Sequence, residues 1–93
     1  MKAVQIVKPN ELRILDMPKP VIDEHNNVLV KVKASGICGS DVGIYHGTNA
    51  AATYPRVIGH EIVGEIVEVG PNATTRKLGE RVIIDQVVAC GHC

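Results

Sequence analysis

The chain has 93 residues, 45% of them hydrophobic, with ten basic side chains balanced by ten acidic ones. This is enough apolar material for one small domain, and there is no charge excess of the kind that marks a nucleic-acid or anionic membrane partner. Phe and Trp are absent and Tyr45 and Tyr54 are the only aromatics, so Val, Ile and Leu must fill a thin core, and their β-branched richness favours strands.

Met1–Val7 and Glu11–Met17 are short apolar segments flanking Lys8-Pro9-Asn10. In that turn cluster Pro presets φ and Asn tolerates a left-handed conformation, which predicts a β-hairpin. Asp23–Asn27 reads as an exposed loop. Val28–Ala34 alternates Val28, Val30 and Val32 with Leu29, Lys31 and Lys33, the pattern of a strand with one buried and one wet face. Ser40-Asp41 is placed to cap a short helical turn through Val42–Tyr45, and Gly43 and Gly47 weaken anything longer. Gly47–Tyr54 reads as a second exposed loop. Ile62–Val69 is apolar on both faces except at Glu65 and Glu68, as expected of a more central strand, and Gly70-Pro71-Asn72 closes it. Leu78-Gly79-Glu80 turns into a last strand, Arg81–Val88. The sum is a mainly β domain with little helix.

No apolar run approaches the roughly 18–20 residues of a membrane span, and the N-terminal residues lack the pattern of a signal peptide. A cytoplasmic protein acting on a small neutral molecule, with no nucleic acid and no membrane as partner, is the expectation. The three cysteines, one alone and two in a C-x-x-C pair, suit metal ligation in a reducing compartment better than a disulfide framework.

Gly36-Ile37-Cys38-Gly39-Ser40-Asp41 and Gly59-His60-Glu61 put a thiol, an imidazole and two carboxylates within a short stretch. Cys38 follows one predicted strand and His60-Glu61 open another. If the two strand ends meet, Cys38 and His60 can ligate one zinc ion with an open position left for water or substrate. Asp41 fits a role behind them, accepting the other ring N–H of His60 and fixing its tautomer. Ser40 is placed to take up the proton of an alcohol at such a metal. Taken singly, a lone cysteine is more often a small buried hydrophobe, a His-Glu pair more often a surface pair, and Ser40-Asp41 a cap. Their co-occurrence favours the metal reading. His25 and His46 read as solvated loop residues.

These motifs resemble the zinc-dependent medium-chain alcohol and polyol dehydrogenase family. Gly59-His60-Glu61-Ile62-Val63-Gly64 followed by Gly70 is similar to its zinc signature, and the Gly36–Asp41 stretch to its first-ligand motif. The resemblance extends over essentially the whole chain and is strongest to the sorbitol and threonine dehydrogenase branch, including starvation-sensing dehydrogenase-like sugar-acid oxidoreductases. It implies a GroES-like, partly open β-barrel forming an incomplete catalytic domain. It also implies zinc held by Cys38 and His60, Glu61 as a ligand or exchangeable neighbour, and Ser40 at the head of a proton relay. The histidine that often continues that relay in the family is replaced here by Gly43, so the relay must end at water, a cofactor ribose or a side chain such as His46.

Cys90-Gly91-His92-Cys93 reads either as a redox pair or as half of a four-cysteine structural zinc site. A redox pair needs a following helix to stabilise its thiolate, and the half zinc site, metal-free or oxidised as it stands, is preferred. No G-x-G-x-x-G turn occurs in the sequence. Residues 1–93 are therefore expected to be the N-terminal portion of a catalytic domain, with NAD(P) bound only in a longer, homo-oligomeric parent. The isolated chain is expected to be inactive and to self-associate through uncovered apolar surface. The reaction implied is oxidation of a secondary alcohol of a polyol or sugar acid. The alternative is a non-catalytic GroES-like β module used for binding or assembly.

Overall fold

The structure, a computed structural model, describes residues 1–24, 27–87 and 90. The expected hairpin is present: β1 (Lys2–Lys8) pairs antiparallel with β2 (Glu11–Asp16), from Lys2 opposite Asp16 to Ile6 opposite Leu12. Asn10 turns the chain at φ 66°, in the left-handed region that Asn enters more readily than most residues. On the other side of β1 lies β4 (Arg56–Val57). Two residues carry no periodicity, and only the neighbouring strand makes them a strand, so the sequence did not announce it.

The second sheet has the order β3 (Val28–Gly36), β5 (Glu61–Val69), β6 (Arg81–Ile83), with both pairings antiparallel. β5 is central, as its two apolar faces require, and its Ile66 is 1% exposed. Gly64 permits the close approach of β3: a Cβ there would fall 2.6 Å from the Lys31 carbonyl oxygen. Two register shifts, at Leu29/Val30 and Val32/Ala34, interrupt the β3–β5 pairing. They upset the simple alternation expected of Val28–Ala34, and Val32 is 54% exposed. β6 is shorter than the expected Arg81–Val88. Ile84 still donates its N–H to Ile62 at 3.0 Å, but Asp85 Oδ1 then accepts from the Val87 N–H at 3.0 Å, a local bond that competes with strand pairing. Val88 lies outside the described residues.

Helix α1 (Gly39–His46) is eight residues long, more than the single turn expected. Gly43 is tolerated in it, and Thr48 binds the Gly43 carbonyl through both its N–H (3.0 Å) and its hydroxyl (3.3 Å). Gly47 ends the helix in a left-handed conformation. The N-cap is Cys38, with Asp41 three positions in, so Ser40 is not the cap.

Buried apolar residues are few among those described: Ala3, Ile6 and Ile66. Among the described residues, two three-stranded sheets with open edges and one short helix make the partly open, helix-poor β architecture that was expected. No helix among the described residues is long and apolar enough to cross a membrane.

Candidate metal centre

The register of the second sheet builds the site. Gly36, the last residue of β3, faces Glu61, the first of β5, so the chain leaving β3 through Ile37 and Cys38 passes beside the chain entering β5 through His60. Gly59 approaches at φ 120°, a backbone setting that strains any residue with a Cβ. The Glu61 side chain lies across Gly36, where a Cβ would meet its Oε2 at 2.8 Å. Ligand atoms of Cys38, His60 and Glu61 all lie within 4.8 Å of one another.

Behind them Asp41, 4% exposed, divides its carboxylate. Oδ2 accepts the Cys38 backbone N–H at 3.0 Å, and Oδ1 stands 3.5 Å from His60 Nδ1. One side chain thus serves as part of the helix start and faces the imidazole. The cap reading and the reading of Asp41 as a partner of His60 describe one geometry.

The thiol of Cys38 is held below its ordinary value because the Ser40 side chain and backbone hydrogen-bond to it, with His60 adding a further bond; partial desolvation and the Glu61 charge oppose this. His60 is pushed up, first by its hydrogen bond to Cys38 and then by the negative charge of Asp41, against desolvation. Thiolate and imidazole so placed are the donor types of a zinc site, with a carboxylate beside them. The residues present fit that metal.

A cleft of about 680 Å³ opens over these groups. Ile62, Val63, Ile83 and Ile84 line it, and Gln86 adds a polar side chain. Gln86 and this apolar wall escaped the sequence reading, because β6 had to be paired with β5 before its residues had any relation to Cys38. Ser40 stands beside the Cys38 sulfur. His46 is at the opposite end of α1 rather than in a loop, with Nδ1 3.2 Å from Asn10 Oδ1. Six residues of helix put it about 9 Å along the axis from Ser40, out of hydrogen-bond reach. Cys90 is exposed and outside the Cys38 cluster. Cys93, His92 and His25 lie outside the described residues, and with Cys93 the proposed Cys90–Cys93 pairing.

Residues 24–93 match the family described as the alcohol dehydrogenase GroES-like domain. The chain is 53% identical to the starvation-sensing protein RspB of Escherichia coli K12, and 46% identical to a zinc-type alcohol dehydrogenase-like protein of Haemophilus influenzae. In each case all of this chain aligns with 27% of the relative. Among solved structures, the short chain alcohol dehydrogenase rspB of Escherichia coli CFT073, complexed with NADH, superposes with a TM-score of 0.88 at 50% identity, over all of this chain and 26% of that one. The chain therefore spans about a quarter of the length of these relatives. The match over residues 24–93, with the superposition on rspB, shows that the chain belongs to the alcohol dehydrogenase GroES-like domain family.

Proposed function

We propose that the chain is the zinc-ligating, N-terminal part of an NAD(P)-dependent oxidoreductase that oxidises a secondary alcohol of a polyol or sugar acid. The observation that carries this reading is the convergence of Cys38, His60 and Glu61 within 4.8 Å along the lining of a cleft. Cys38 and His60 would hold the metal, with Glu61 as third or exchangeable ligand. Bound there, zinc would supply Lewis acidity that lowers the pKa of an alcohol hydroxyl.

The chain's own residues do the rest of what lies within it. Asp41 orients His60 and the N-terminus of α1. The Ser40 hydroxyl, exposed beside Cys38, takes up the hydroxyl proton and passes it outward to water or a cofactor ribose. Ile62, Val63 and Ile84 give the cleft an apolar wall for the carbon skeleton of the substrate, and Gln86 offers an amide to a second hydroxyl. The chain spans about a quarter of its relatives' length, and hydride transfer to NAD(P) is assigned to a longer parent, read as a homo-oligomer. Alone, the chain binds zinc without turning over alcohol and associates through exposed apolar side chains such as Val32, Ile37 and Ile83.

Zinc titration with metal analysis is the direct test. Cys38→Ser should abolish most binding, since a hydroxyl is a far poorer ligand than a thiolate, while Cys90→Ser should leave it nearly intact. Equal effects of the two substitutions would refute the assignment of Cys38, and a chain that takes up no zinc would favour the non-catalytic module.

A further inference from the structure

Helix α1 lacks a fully buried apolar face, and its Ile44 and Tyr45 are only half-buried. Asp41 is its one buried residue, and Val42 is 46% exposed. An eight-residue helix is marginal without such a face, so what grips its ends decides where it sits. At the N-terminal end the grip is Asp41, between the Cys38 N–H and His60.

At the C-terminal end Thr48 holds the Gly43 carbonyl and the Tyr54 hydroxyl donates to the Ile44 carbonyl, and a longer-range grip comes from the β1–β2 turn, more than thirty residues earlier in the chain. The Asn10 N–H donates to the Tyr45 carbonyl at 2.6 Å, the Tyr45 hydroxyl donates to the Asn10 carbonyl at 3.3 Å, and His46 Nδ1 meets Asn10 Oδ1 at 3.2 Å. Pro9 presses on Gly47, where a Cβ would fall 2.8 Å from its ring. Three polar contacts from one residue thus close on the last two residues of the helix, where free carbonyls await partners. Asn suits the position twice over: it accepts the φ of 66° and it carries the acceptor for His46.

We propose that Asn10 is a positioning residue for the metal centre, setting the axial placement of α1 and with it Cys38 and the Asp41 carboxylate against His60. The proposal rests on the zinc reading of Cys38, His60 and Glu61. A short helix moves as a rod, so slack at His46 reaches Cys38 directly. The 3.5 Å between Asp41 and His60 leaves little reserve before the contact opens.

The test uses Asn10→Gly, which keeps the left-handed turn and its backbone bonds while removing Oδ1, together with His46→Ala and the double variant. Two quantities are read: hydrogen exchange of the Cys38 amide in the metal-free chain, and zinc affinity by chelator competition. Asn10→Gly should speed Cys38 exchange and weaken zinc by about 3–10-fold, at or below the low end of losses seen when an outer partner of a metal ligand is removed. His46→Ala should act alike, and the double variant should be no worse than Asn10→Gly, since both cut one contact. Zinc binding that depends on Cys38 but is indifferent to Asn10→Gly, or additive effects in the double variant, would overturn the role of Asn10. Faster Cys38 exchange in a chain whose zinc binding ignores Cys38→Ser would overturn the metal reading, and the assigned role with it.

Discussion

Asp41 answers to two neighbours at once, and a single substitution separates them. Asn in its place keeps an oxygen for the Cys38 N–H but removes the negative charge facing His60. Asp41→Asn should therefore leave the fold intact and weaken zinc affinity by about 10–100-fold. Chelator competition beside a denaturant melt checks it, and unchanged affinity would reduce Asp41 to its part in starting the helix. A second expectation concerns Cys38 in the metal-free chain. Its thiol is lowered by Ser40 and His60, so the thiolate persists to lower pH than in a free cysteine. Alkylation should rise with a midpoint below that of the urea-unfolded chain, and Ser40→Ala should move it upward. By linkage, this ionisation favours the fold above the unfolded thiol's pKa, and the contribution is lost as pH falls through the folded one. His60, raised in the fold, works the other way: its contribution is present below the unfolded imidazole value and fades as pH rises through the folded one. At this scale the sequence was informative about Cys38, His60, Glu61 and Asp41, because motif spacing brings their chemistry together. It was silent about Asn10 and Gln86, whose relation to the site exists only after a hairpin and a strand have docked.

Among the elements, β5 was legible because Ile62, Val63, Ile66 and Val67 make both faces apolar, and the first hairpin because Pro9 and Asn10 supply its turn chemistry. Less local features were hidden. The bulges of β3 exist only in its pairing with β5, β4 is defined by Gln5 and Ile6 opposite it, and β6 ends where Asp85 captures a backbone N–H. Gly64 is the residue on which the second sheet depends most visibly. A methyl group there would press on Val30 and on the Lys31 carbonyl. Gly64→Ala should cost about 1–3 kcal/mol as overpacking in a formed sheet, seen as a lower denaturant midpoint with an unchanged slope. An unshifted midpoint would mean that β3 can slide aside at no cost.

For the whole molecule the notable quantity is how little is sealed. Leu12, Ile14, Val21, Ile37, Leu78 and Ile83 all stand open to solvent, and Ile83 is 83% exposed. Apolar surface on this scale is what a larger assembly or a longer chain covers, in keeping with the quarter-length match to the relatives. Two sheets with so small a shared interior owe much of their mutual placement to the chain that runs from Cys38 to His60, which carries α1 and then returns along β1 as β4. A metal gripping both ends of that run would act as a staple, closing a loop of roughly twenty residues and stripping freedom from the unfolded chain as a disulfide does. The staple has a readout that needs no substrate. Cleavage by a protease in the exposed stretch after Gly47 should slow when zinc is added and recover with chelator, and in the Cys38→Ser chain it should not respond to zinc at all.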